Sequence, residues 1–417
     1  MRSSRVAALL CLCAAAASAQ EIARQEYHQR REALRKQLTD GVFVMYGPGG
    51  GEGAPRDTNF QYLTGWDQPG SIILLTPAGE TMFLPPRRPA AQENFTGRMA
   101  AATDENAARV TGFDQVLPTT QFEAQLLKEL EKYPRLFTMT NAPYAARLRA
   151  LVPMRELQDA RLMLTRLRLK KSPAEIAMIE RSTAVTVQGL KDMWRRFKPG
   201  LYEYQAAATL TFDILDNGCD GHAFSPIVGS GINATILHYS KNSRQMQAGE
   251  LVVMDVGAQC GGYATDITRT APVSGKFTPR QRELYEVVLG ANKAVIAALK
   301  PGMIVAGGRN TPNSIDKIAF DYINTHGKDL KGEPLGKYLT HGVGHSVGLD
   351  VHDPQTPGPM AVEPGMVVTV EPGVYLPEEG IGIRVEDTVL ITEDGAKVLT
   401  GAIPKEIADI EKIMAKK

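Results

Sequence analysis

Gly249-Glu250-Leu251-Val252-Val253-Met254-Asp255 is an apolar strand that closes in a carboxylate, and Gly365-Met366-Val367-Val368-Thr369-Val370-Glu371 repeats the pattern. Two further segments match in the same order. One helix ends at Lys198-Pro199-Gly200, and another, begun by Thr278-Pro279, ends at Lys300-Pro301-Gly302. The pattern predicts two similar α+β halves with Asp255 and Glu371 at related positions. Each strand opens a hairpin. A two-residue turn at Cys260-Gly261 would pair Gln259 with Gly262 and set Asp255 opposite Asp266. A turn centred on Glu378-Glu379 would set Glu371 opposite Glu386. Directly paired residues share one face, with Cβ atoms about 5 Å apart. Facing carboxylates on apolar strands repel, and burying either one unpaired costs several kcal/mol. A divalent cation between them removes that penalty. The alternative is that the acids lie on exposed strand edges or pair with Arg269 and Arg384.

His341-Gly342-Val343-Gly344-His345-Ser346-Val347-Gly348-Leu349-Asp350-Val351-His352-Asp353 holds three of the chain's seven histidines. Its glycines make a poor helix and a poor core strand. Imidazole is the commonest protein metal ligand, so the cluster reads as part of a site. Four carboxylates and one imidazole form a hard, oxygen-rich donor set. It suits Mn²⁺, and Zn²⁺, Co²⁺ or Fe²⁺ could take the same donors. The set is too anionic for one ion; two ions about 3.5 Å apart would match its charge and could hold a hydroxide between them.

At 417 residues the chain exceeds one typical core. A net charge of +1 argues against a nucleic-acid or anionic-membrane partner. Met1-Arg2-Ser3-Ser4-Arg5, the apolar run Val6 to Ala17, and Ala17-Ser18-Ala19 form a secretory signal pattern over 1–19. Cleavage after Ala19 would leave Gln20 first and place the protein in a secreted or periplasmic setting. A lipoprotein signal at Cys11 or Cys13 fits less well, since a leucine precedes each. The apolar run is too short for a membrane span, and no other stretch is long enough. Cys219 and Cys260 remain; one bridge is possible, and the sequence leaves it open.

Residues 20–165 read as a small α/β domain. A charged helix from Glu21 to Leu38 carries Arg30, Arg31, Arg35 and Lys36 on exposed positions. Strands follow at 42–46, 60–63, 71–75 and 81–85, a loop at Gly47–Gly53, helices near 104–110 and 121–132, and a strand near 135–139. No metal-ligand cluster stands out there. The basic run at 155–171 reads as a solvated linker face. Ser172-Pro173-Ala174-Glu175 is a capping-box start, and the second domain, 166–417, is placed at this boundary.

Asp255, Asp266, His345, Glu371 and Glu386, in this order and setting, resemble the five ligands of the pita-bread metallopeptidases, the methionine aminopeptidase, prolidase and aminopeptidase P group. Gly229–Tyr239, His341–Asp353, Val370–Tyr375 and Gly382–Asp387 resemble the proline-specific branch, and Phe60–Trp66 is similar to the N-terminal domain of aminopeptidase P. The resemblance implies an α/β (α+β) fold: a small α/β N-terminal domain followed by a pita-bread catalytic domain. It implies two divalent ions, with Asp255 on one, His345 and Glu371 on the other, and Asp266 and Glu386 bridging. A bridging hydroxide would attack the Xaa-Pro carbonyl, with Glu371 as proton acceptor and donor. His238 and His352 would contact the substrate, His341 would line the pocket, and Arg384 would orient a bridging carboxylate. Tyr375 could equally serve substrate or core, and His28, His222 and His326 read as surface or packing residues.

The function expected is an exported Xaa-Pro aminopeptidase acting on peptides with proline in second position, with a homo-oligomer (dimer or tetramer) expected from the family. The nearest alternative is a prolidase limited to Xaa-Pro dipeptides. A methionine aminopeptidase fits poorly with a signal peptide and an extra N-terminal domain. A catalytically silent secreted binding protein is the non-enzyme alternative.

Overall fold

The computed structural model describes residues 21–49 and 56–415; the signal pattern, Cys11, Cys13 and most of the predicted 47–53 loop lie outside the described residues. The chain divides into two compact units, Ile22–Arg168 and the part from Leu169 onward.

The N-terminal unit runs α1 (Arg24–Leu38), β1 (Gly41–Tyr46), α2 (Thr58–Thr64), β2 (Ile72–Leu75), β3 (Glu80–Leu84), β4 (Gln115–Pro118), α3 (Phe122–Lys132), β5 (Arg135–Thr138) and β6 (Leu157–Asp159). Its sheet has the order β4-β3-β2-β1-β5-β6; β1 and β5 are parallel, while β1, β2 and β3 form an antiparallel meander. Two expectations fail here. Phe60–Leu63 is helix, not strand. The Asp57 carboxylate accepts from the Asn59 and Phe60 amides, both at 3.0 Å, and Gly65, at φ 60°, closes α2.

The second failure concerns α1, where only Lys36 keeps the exposure expected of the four basic residues. Arg31 lies on the Leu34 and Leu38 face and is fully buried. Its Nε and Nη2 donate to both oxygens of buried Glu80, at 3.0 and 2.8 Å, and Nη1 donates to the Leu63 carbonyl. Arg30 donates to Glu26 and to the Tyr62 carbonyl, and Arg35 to the Thr76 carbonyl. Removing one member of a buried pair leaves an uncompensated charge, so Arg31→Ala is expected to destabilise the protein by about 3–5 kcal/mol. Denaturant unfolding followed by circular dichroism checks this.

The C-terminal unit opens with α4 (Pro173–Arg196), whose capping box is formed: Ser172 Oγ accepts from the Glu175 amide and Glu175 Oε2 from the Ser172 amide. Then come α5 (Glu203–Asp216), β7 (Ile227–Ser230), β8 (Leu251–Val256), β9 (Ala258–Cys260), β10 (Tyr263–Ala264), β11 (Ile267–Pro272), α6 (Pro279–Ala298) and α7 (Ile315–His326). The last strands are β12 (Val367–Val370), β13 (Gly373–Leu376), β14 (Ile381–Arg384), β15 (Asp387–Ile391) and β16 (Ala396–Val398). β8 is the middle strand of the sheet β11-β8-β7, and β12 edges the sheet β12-β15-β16.

The repeat seen in the sequence is also conformational. Gly200 and Gly302 have φ of 88° and 87°, and Gly249 and Gly365 have 84° and 89°. Each pair turns the chain in the same left-handed way before equivalent segments.

The basic run at 155–171 is not a solvated face throughout. Arg168 is buried and donates to Thr58 Oγ1 and Asn59 Oδ1 within the N-terminal unit. Lys171, buried in the C-terminal unit, donates to Asp353 Oδ2 at 3.1 Å and to Ser346 Oγ. Cys219 and Cys260 are disulfide-bonded, 41 residues apart, tying the end of α5 to β9.

Candidate metal centre

Asp255 stands near the end of β8, but its partner across the ladder is Thr268, not Asp266. The turn is Gly261-Gly262, with Cys260 opposite Tyr263 and Gln259 opposite Ala264. Both glycines have positive φ, 57° and 85°, as a tight two-residue hairpin turn demands, and a cysteine fits poorly in either place. The register therefore differs from the predicted one by two residues. A shift of two keeps every side chain on its face, so Asp266 remains a diagonal neighbour of Asp255. Gly257 permits the close approach: a Cβ there would lie 1.9 Å from the Thr265 carbonyl oxygen.

The second hairpin has the predicted register. Gly373 faces Arg384, Leu376 faces Ile381, and the turn contains Glu378 and Glu379. Glu371 and Glu386 stand where the paired strands part. The Glu371 amide donates to the Val343 carbonyl and the Glu386 amide to the Thr268 carbonyl.

The glycine-rich histidine stretch runs along β12. The His345 amide donates to Thr369 Oγ1 and the Thr369 amide returns to the His345 carbonyl. Gly344 allows this, since a Cβ there would sit 2.5 Å from the Thr369 carbonyl oxygen.

These segments enclose a cavity of about 210 Å³ lined by Leu237, His238, Asp255, Asp266, His341, His345, His352, Glu371, Arg384 and Glu386. Every residue singled out in the sequence as a ligand or catalytic group is on that wall. His345 Nδ1 faces the Ser346 carbonyl at 3.1 Å, which makes Nδ1 the donor and leaves Nε2 with a lone pair. That Nε2 lies 3.5 Å from Asp266 Oδ2 and 3.5 Å from Glu371 Oε1. Ligand atoms of Asp266, His345 and Glu386 all fall within 4.8 Å of one another. Asp255 Oδ1 and Asp266 Oδ1 are buried without a hydrogen-bond partner among the described residues. Acceptors aimed at acceptors, with orphaned buried oxygens, fit divalent cations and little else.

Burial pushes Asp266 and Glu386 well above the carboxylate range, aided by their negative neighbours. Burial also raises Glu371 to about 8, against the pull of Arg384. His345 falls to about 4 through burial and the neighbouring His352 ring, and His341 falls to about 4 through burial and Arg384.

Arg384 contacts Asp255 directly and reaches a residue expected to bridge, Glu386, only through Thr268. Its Nη2 donates to Asp255 Oδ2 at 2.6 Å, its Nη1 to the Tyr375 hydroxyl at 2.7 Å and its Nε to Thr268 Oγ1 at 3.0 Å. Thr268 Oγ1 in turn donates to Glu386 Oε2 at 2.6 Å. His341 Nδ1 donates to the Gly342 carbonyl, so its Nε2 accepts from the Tyr375 hydroxyl. Both nitrogens are engaged, and His341 forms a neutral, fixed wall. Sequence reasoning missed Leu237 and Thr268. The second was recoverable from the hairpin register, whereas no signal marked the first.

In the N-terminal unit His28, Glu80 and Asp114 converge within 4.8 Å, a grouping the sequence reading did not find. Glu80 already has Arg31, so the charge there is balanced. His222 bonds Thr211 and His326 stacks on Tyr322, both in packing roles.

Residues 177–393 match metallopeptidase family M24, and residues 55–137 match the N-terminal domain of aminopeptidase P. The chain is 34% identical to the Xaa-Pro aminopeptidase of Haemophilus influenzae over 86% of its own length and 88% of that protein's. It superposes on aminopeptidase PepP of Pseudomonas aeruginosa with a TM-score of 0.85 and 29% identity, over 95% of this chain and 99% of that one. A zinc-substituted Escherichia coli aminopeptidase P in complex with product gives 0.84 and 28%, over 95% and 99%. The fold is an aminopeptidase P-type N-terminal domain joined to a pita-bread catalytic domain, and the chain belongs to metallopeptidase family M24, the hydrolases whose divalent-metal chemistry this cavity fits.

Proposed function

We propose that the protein is an exported Xaa-Pro aminopeptidase that holds two divalent ions, with Mn²⁺ best suited to its oxygen-rich donors. The observation that carries this reading is the cavity in which the His345 imidazole meets four carboxylates, two of them with an orphaned buried oxygen. Asp255, Asp266, His345, Glu371 and Glu386 would hold the ions. When bound, they supply Lewis acidity that activates water and polarises the scissile carbonyl. Glu371, held deprotonated once it binds an ion, could take a proton from the attacking water and pass it to the departing proline nitrogen. His238 and His352 stand on the wall where a peptide would lie. Relatives named for Xaa-Pro aminopeptidase activity favour this substrate class over a dipeptidase. The signal pattern and the Cys219–Cys260 bridge support an oxidising compartment outside the cytosol. Domain limits near 165 and a homo-oligomeric state belong to the same reading.

The test uses protein stripped with chelator and refilled with Mn²⁺, offered a Xaa-Pro dipeptide, a Xaa-Pro-Yaa tripeptide and a Xaa-Ala-Yaa tripeptide. Release of Xaa from the Xaa-Pro-Yaa tripeptide alone, or from it and the Xaa-Pro dipeptide, is the expected result. Cleavage of the dipeptide only would reassign the protein as a prolidase. No release with metal bound would overturn the catalytic reading.

A further inference from the structure

His238 lines the cavity, yet the residue is exposed, and no hydrogen bond to another described residue holds its ring. Its position must come from the backbone that carries it. That backbone, Ser230 to Arg244, contains only a short 3₁₀ turn, Gly231–Thr235. Its two ends converge on one carboxylate at the start of α5. Glu203 is fully buried. Its Oε1 accepts from the Ser230 amide at 2.8 Å, from Ser230 Oγ at 2.7 Å and from Asn233 Nδ2 at 3.2 Å. Its Oε2 accepts from the Tyr239 hydroxyl at 2.8 Å and from the Arg244 amide at 2.9 Å. The Glu203 amide donates to the Arg244 carbonyl, closing the loop on both sides.

Five donor groups on one carboxylate are more than capping a helix needs, and the donors come from both sides of His238. Tyr239 is its immediate neighbour. Arg244 Nη1 also donates to Ser230 Oγ at 3.0 Å while its guanidinium pairs with Glu250, so positive charge lies beside the buried anion. Gly382 lets the 3₁₀ turn press against β14, since a Cβ there would lie 1.8 Å from the Ala234 carbonyl oxygen. The turn is thus pinned from outside by Glu203 and from inside by β14.

We propose that Glu203 is a positioning residue for the reaction: it clamps the Ser230–Arg244 segment and so sets His238 at the substrate-facing wall. The inference rests on the reading that His238 contacts peptide. Glu203→Gln keeps shape but turns an amide N–H₂ toward donors, and Tyr239→Phe removes the donor beside His238 together with the acceptor of the Ser243 amide.

The experiment is a double-mutant cycle on Xaa-Pro-Yaa hydrolysis by the Mn²⁺-loaded protein, with trypsin cleavage after Lys241 as a readout that needs no substrate. Glu203→Gln should lower kcat/KM by about 10- to 100-fold with bound metal unchanged, as removal of a supporting partner does elsewhere. Tyr239→Phe should act in the same direction. In a His238→Ala background neither should lower it further by more than about twofold. Cleavage after Lys241 should rise by about tenfold in Glu203→Gln, because local opening exposes the segment. Equal losses with and without His238, or unchanged trypsin cleavage, would overturn the proposal. If Glu203→Gln fails to fold, the Tyr239→Phe cycle decides alone. If His238→Ala retains wild-type kinetics, the placement of His238 fails while the clamp itself is still judged by the cleavage rate.

Discussion

Replacing Arg384 with alanine is expected to lower kcat/KM by at least about 100-fold and to destabilise the metal-free protein by about 3–5 kcal/mol. Arg384 donates directly to the acidic cavity wall, and it is 3% exposed. Without it, Asp255 Oδ2 loses its partner, and Tyr375 loses the donor that fixes its hydroxyl against His341. Thr268 loses the donor that aims its own proton at Glu386. One side chain therefore sets three neighbours of the cavity. Arg384→Lys should recover little, because an ammonium on a flexible stem cannot donate along three fixed directions at once. Steady-state kinetics on the tripeptide and denaturant unfolding of the stripped protein check both effects. Activity within about threefold of wild type would show that Asp255 needs no partner once metal is bound.

The second large effect concerns pH and metal together. Glu371 goes from an ordinary value of 4.5 to about 8 in the folded state. Its protonated form is the one the fold favours, so its contribution is fully present below 4.5 and is lost as pH rises through 8. Asp266 and Glu386 shift in the same direction. His345 works the other way. Its value drops from 6.5 to about 4, so its contribution is present above 6.5 and lost as pH falls through 4. The stripped protein should therefore lose melting temperature steadily between pH 6 and pH 8, as like charges accumulate about the cavity. Divalent ions bind the deprotonated acids, so refilling with Mn²⁺ should raise the melting temperature most at the upper end of that range. Glu386→Gln, which removes one buried charge, should stabilise the stripped protein at pH 8 and abolish most of the metal-induced rise. Differential scanning calorimetry of the stripped and loaded forms at several pH values reads all three.

The site residues could be read from the sequence because they obey short-range rules. Apolar strands ending in acids, two hairpins and a glycine-rich histidine stretch each carry their own periodicity or spacing. The Asp255–Asp266 register was misplaced because counting residues across a turn does not reveal which pair can take positive φ; Gly261-Gly262 can, and Cys260-Gly261 cannot so readily. The error was harmless to the site, since a two-residue slip preserves the face. Phe60–Leu63 was misread because aromatic and branched residues suggested a strand, although Asp57 and Gly65 bracket it as a helix. The burial of Arg31, Arg168 and Lys171 was not legible at all. Each depends on a partner far along the chain: Glu80, the Thr58–Asn59 pair and Asp353. The same holds for Arg384, whose contact with Asp255 spans 129 residues. Charge taken alone predicts exposure, and only the tertiary partner reverses it.

On the proposed function, five side chains from two hairpins and a loop hold divalent ions. Elemental analysis tests it most directly. The protein would be stripped with chelator, refilled with Mn²⁺ and freed of unbound ion, beside an Asp255→Asn, Asp266→Asn double variant whose folding is verified by circular dichroism. The prediction is two ions per wild-type chain and loss of bound ion in the variant. Wild-type protein that retains none, or a variant that retains as much as wild type, would contradict it.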